Sequence, residues 1–136
     1  MTEISDPLEN SPEQAEQHPL YQLVGLTNEC TGGGRATCEV RAAAGETAPS
    51  SFALTTAVDV LVVQAARTTV TPQEELNGTA ELNVTYTRPA VGTVQVEAHE
   101  VGRVTTMRVL EFTVSDADGT LAFGRSTYAV RARSRR

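Results

Sequence analysis

Segment 50–64, SSFALTTAVDVLVVQ, contains one charged side chain, Asp59. A carboxylate among Phe52, Leu54, Ala57, Val58, Val60, Leu61, Val62 and Val63 costs free energy unless it is hydrogen-bonded, paired or protonated. A group in that setting is suited to general-base or nucleophilic work, because desolvation tunes its proton affinity. The plainer reading of Asp59 is a buried carboxylate bonded to a backbone amide, or to Thr55 or Thr56.

Little else in the chain offers chemistry. All eleven basic residues are arginines, which removes any lysine Schiff base. The two histidines, His18 and His99, are far apart in sequence, and His99 shares the polar parity of VQVEAHE with Gln95 and Glu97. No bound metal and no cofactor are expected. Cys30 and Cys38 flank TGGGRAT and read as two buried free thiols on adjacent strands, not as a disulfide. Glu74 and Glu75 fall in a polar loop and read as solvent-exposed.

The chain has 136 residues and a net charge of −6. Binding to nucleic acid is not expected, since phosphate neutralisation needs cations spread over a face. The arginines 131, 133, 135 and 136 are confined to the C-terminus and read as a solvated tail. No apolar run approaches the ~20 residues that span a bilayer, and the N-terminus lacks the pattern of a secretion signal. The expectation is a cytoplasmic protein that does not use a membrane.

The elements that must position Asp59 follow from punctuation and periodicity. Residues 1–20 read as a leader, mobile or forming one short helix, and 21–136 as a single domain. Residues 21–31 and 35–43 read as strands around Gly32, Gly33 and Gly34. Residues 50–67, which contain no Gly or Pro and can be capped by Ser50 or Ser51, predict a helix. Its apolar side chains occupy most of the circumference, so it should be enclosed. Four strands follow, near 79–87, 93–101, 104–115 and 120–132, joined as an antiparallel meander. In the first of them Ala80, Leu82, Val84 and Tyr86 alternate with Thr79, Glu81, Asn83 and Thr85, which puts Thr79 on the polar face.

Two strands, one enclosed helix and four more strands is the element order of an α+β hotdog fold, a curved antiparallel sheet wrapped around a central helix. Asp59, the run NGTAELNVTYTRPAVG, then VGR and DADGTLAFGRSTYAV resemble the small hotdog acyl-CoA thioesterases of the phenylacetate-pathway type. The resemblance covers about residues 22–132. It implies that Asp59 acts as base or nucleophile on a thioester at a subunit interface, and that Thr79 is the hydroxyl that positions water or the carboxylate. Members usually carry Asn, Gly and His-Gly-Gly before the helix, with the His nine residues ahead of the acid. Here that position is Ser50, followed by Ser51 and Phe52. Helix-start amides near Ser50 and Ser51, with the Ser50 hydroxyl, would then meet the oxyanion, unless the two serines only cap the helix.

Arg88 and Arg103 have the chemistry to grip coenzyme A phosphates, or else are solvated strand-end residues. The resemblance implies acyl-CoA as substrate and a homodimer or dimer of dimers. Two other functions stay open: a non-catalytic acyl-CoA or acyl-carrier binding protein, and a hydratase or dehydratase on the same fold.

Overall fold

The computed structural model describes residues 19–134; most of the expected leader, with Arg135 and Arg136, lies outside them. Helix α1 spans Pro19–Val24, where a strand was expected. Its buried residues Tyr21 and Val24 are three apart, a helical spacing that a short segment shares with irregular strands. The helix stops at Gly25, whose φ of +76° suits glycine alone. A Cβ there would come within 2.3 Å of the Arg41 carbonyl oxygen.

Strand β1 (Leu26–Gly32) and strand β2 (Arg35–Val40) form a hairpin closed by Gly33 and Gly34, both at positive φ. β2 ends at Val40, three residues short of the expectation. Cys30 is exposed and Cys38 buried, which corrects the reading of two buried thiols; no disulfide joins them. The β1 register shift between Thr27 and Cys30 places Cys30 opposite Thr37, so the two thiols are not cross-strand partners.

Helix α2, Ser51–Arg67, begins where the sequence indicates. Ser50 caps it, its hydroxyl accepting from the Ala53 amide at 3.1 Å. Strands β3 (Glu74–Tyr86), β4 (Val94–Val104), β5 (Met107–Asp116) and β6 (Gly119–Ala132) complete a six-stranded antiparallel sheet, ordered β1-β2-β4-β5-β6-β3. The curved sheet wraps α2, which buries Leu54, Ala57, Val58, Leu61, Val62 and their neighbours against it.

The expected four-strand meander holds only for β4, β5 and β6. Strand β3 lies on the far edge, paired with β6, while β2 pairs with β4. Alternation along a strand reports which face is buried, but it carries no information about the partner. β3 is therefore a long edge strand with one side unpaired.

Candidate active site

The reading of Asp59 as buried is corrected: it is solvent-exposed on the isolated chain. Phe52, Thr55, Thr56 and Asp59 recur at intervals of three and four along α2 and form its less buried stripe, beside the β3 edge strand. Phe52, at its start, is 73% exposed. Solvent reaches the carboxylate, yet surrounding protein atoms displace enough water to raise its pKa above the ordinary Asp value. The nearby Thr79 hydroxyl favours the charged form and opposes that rise.

Thr79 comes near Asp59 on a stretch of β3 that is not regular. Its register against β6 shifts between Leu76 and Thr79, and again between Thr79 and Glu81. Thr79 faces Tyr128 and Glu81 faces Thr127, which leaves Ala80 as the extra residue of a bulge. Gly78, at a φ of +109°, sits in the same irregular stretch. The bulge shifts the parity, so Thr79 pairs with Tyr128 on the side of the Leu82–Ser126 pair, although its own side chain is exposed. Strict alternation therefore misplaced Thr79, and the bulge delivers it to Asp59.

Ser50 and Ser51 gather elsewhere, at the mouth of a cavity of about 780 Å³ bounded by loop 45–50, the first turn of α2, the end of β3 and Leu121. The walls are largely small and apolar: Ala48, Pro49, Leu54, Pro89 and Ala90. With Ser50 accepting from Ala53, the Ser51 and Phe52 amides, the first two of the helix, have no intrahelical acceptor. The positive end of the helix dipole lies at the same point. Asp59 is eight residues further on, roughly 12 Å along the axis.

Arg88 also lines this cavity, but its guanidinium is committed. Both terminal nitrogens reach Asp116 at 2.7 Å, and one also donates to the Gly119 carbonyl at 2.9 Å. Asp116 further accepts from the Val91 and Asp118 amides, and these partners hold its carboxyl well below the usual carboxylate range. Arg103 donates to Glu100 at 2.9 and 2.8 Å, away from the cavity. Neither arginine is placed as a free phosphate grip.

Two contributors were not singled out from sequence. Tyr86 lines the cavity and bonds to the α2 first turn; its inward parity at the end of a clean alternation was the available signal. Asp116 read only as part of a DADG turn, and its pairing with Arg88 needed the tertiary structure.

No protein-family model and no curated protein matches the chain. Solved structures do. A conserved protein from Pseudomonas aeruginosa is 25% identical, with a TM-score of 0.75 over 90% of this chain and all of that one. The phenylacetic acid degradation protein PaaI of Thermus thermophilus, in a mutant form, is 18% identical, with a TM-score of 0.69 over 82% of this chain and 97% of its own. A hypothetical thioesterase from Streptococcus pneumoniae, solved with coenzyme A, is 10% identical, with a TM-score of 0.66 over 83% and 93%. The chain shares the hotdog fold with these structures.

The hotdog helix carries both halves of the candidate site, with free amides at its start and a carboxylate in its third turn. No helix among the described residues is long and apolar enough to cross a membrane.

Proposed function

We propose that the protein hydrolyses acyl-CoA thioesters, with Asp59 as general base toward water or as nucleophile. The observation that supports this reading is the placement of the Thr79 hydroxyl near Asp59, where it favours the charged carboxylate. A carboxylate that could have been left to solvent is instead met by a hydroxyl that only a bulged strand can present. Thr79 orients the acid, and the raised pKa makes Asp59 a better proton acceptor than an ordinary aspartate. The thioester oxygen, negative in the tetrahedral intermediate, would be met by the Ser51 and Phe52 amides, which replace the His-Gly segment usual in the resembling family. The coenzyme A held by a protein of the same fold supports the choice of leaving group.

One thioester carbonyl cannot meet Asp59 and the helix start of the same chain, given roughly 12 Å between them. A two-fold assembly in which Asp59 of one copy faces the α2 start of another would bring the halves together. The unpaired β3 edge and the exposed Phe52 support such an assembly. We therefore propose a homodimer, alone or within a dimer of dimers.

Thiol release from an acyl-CoA panel tests the chemistry. The parent should hydrolyse at least one member, and Asp59→Asn should lower turnover by about 10³-fold with the fold intact. Equal rates in the two would refute the assignment. Light scattering of the same samples should give at least twice the monomer mass.

A further inference from the structure

The end of β3 is anchored more firmly than the helix turn it touches. Tyr86 pairs with Ala122, and Thr87 donates its amide and hydroxyl to the Leu121 carbonyl at 2.7 and 2.9 Å. Arg88 then closes its fork on Asp116. From this fixed strand end, the Tyr86 hydroxyl donates to the Ser51 carbonyl at 3.1 Å and is also hydrogen-bonded to the Thr55 hydroxyl. A phenol has one proton, so with that proton on Ser51 the Thr55 hydroxyl is the donor in the second bond. Thr55 thereby holds the phenol in place.

The choice of acceptor matters. The Ser51 carbonyl and the Phe52 N–H belong to a single planar peptide unit. A donor on the carbonyl draws electron density toward oxygen, which strengthens the N–H at the other end as a donor. It also fixes the plane of that peptide, and so the direction in which the N–H points. Phe52 supplies the second amide of α2 that has no intrahelical acceptor, and it directly follows Ser51, which lines the cavity together with Tyr86.

We propose that Tyr86, held by Thr55, is a positioning residue that aims and strengthens the Phe52 amide as an oxyanion donor. The proposal rests on the thioester-hydrolysis reading, and its test has an arm that needs no substrate. A hydroxyl that served only the fold would affect stability and leave this one amide alone.

Full-length Tyr86→Phe keeps the ring and removes the bond, and Thr55→Val removes the phenol's support. With the acyl-CoA that the parent hydrolyses best, Tyr86→Phe should lower kcat about tenfold, less than deletion of a whole oxyanion donor, with KM within about twofold. Thr55→Val should lower it less. The double variant should match Tyr86→Phe alone, because Thr55 acts through the phenol. In 15N-labelled protein, the Phe52 amide proton should shift upfield and exchange faster in Tyr86→Phe.

A kcat within twofold of the parent, or a loss accounted for by unfolding, would overturn the proposal. If the parent hydrolyses no acyl-CoA, the hydrolase reading fails on its own. The latch is then decided by the Phe52 amide, and an unchanged shift and exchange rate refutes it.

Discussion

The first turn of α2 and its third turn use their polar groups in opposite ways. At the first turn the side chains satisfy one another: Ser50 caps Ala53, Tyr86 bonds Ser51 and Thr55, and Arg88 is locked to Asp116. The Ser51 and Phe52 amides are left there without an intrahelical acceptor. At the third turn Asp59 is exposed, its pKa is raised, and the Thr79 hydroxyl lies near it. Groups with every bond made hold a shape, whereas an acid with one partner and a displaced pKa is available for proton transfer. The two turns thus divide binding geometry from reactivity.

The largest effect should come from the reactive end. Asp59→Asn should lower kcat by about 10³-fold, within the range for loss of a positioned base, and should not weaken the fold. A carboxyl whose folded pKa lies above its unfolded value binds more protons when folded. Its contribution is therefore complete at low pH and is lost as pH rises through the folded pKa. At neutral pH the charged Asp59 is a small liability that Asn removes, so Tm should stay level or rise. A fall in Tm alongside the lost activity would move Asp59 into the class of structural carboxylates, and the contrast between the turns would disappear.

Thr79→Val should act next, by about tenfold in kcat. The Thr79 hydroxyl lowers the Asp59 pKa, so removing it raises that pKa further. The acid limb of the kcat/KM profile should move to higher pH, and the profile with pH measures this directly. A limb that stays in place would mean the hydroxyl does not touch the carboxylate during turnover.

The sequence disclosed the elements better than their junctions. The length of α2, its Ser50 cap and the inward parity of Leu82, Val84 and Tyr86 follow from local rules and appear in the structure. Two features were hidden for a common reason. The placement of β3 beside β6 and the bulge at Ala80 are both decided by the partner strand, which no window of sequence contains. Asp59 stood out correctly as unusual, yet its exposure could not be inferred, because period alone does not say which stripe of an apolar helix the sheet leaves uncovered. Arg88 was legible as a cation, but its engagement by Asp116, 28 residues away, was not.

That engagement gives a smaller and sharper test at the first turn. Arg88→Met should lower Tm, since Asp116 loses its two short bonds, while KM for the acyl-CoA substrate stays within about twofold. A residue gripping a coenzyme A phosphate behaves otherwise. Its loss raises KM for the CoA thioester and leaves the matching N-acetylcysteamine thioester, which has no phosphate, unaffected. Comparing the two substrates decides between a staple and a phosphate contact.

The smallest effect separates two roles for Ser50. As a cap, Ser50→Ala should cost about 1 kcal/mol and a few degrees of Tm, whereas Ser50→Gly should cost only a few tenths of that, because glycine is tolerated at this position. Turnover should follow the same order, with Gly close to the parent, because the cap acts on activity only by holding the first turn. A hydroxyl that touched the oxyanion would be missing equally from both variants, so Ala and Gly would then lose turnover to the same extent whatever their Tm. Equal kinetic losses at unequal stability would transfer Ser50 from the group that holds the shape to the group that does the chemistry.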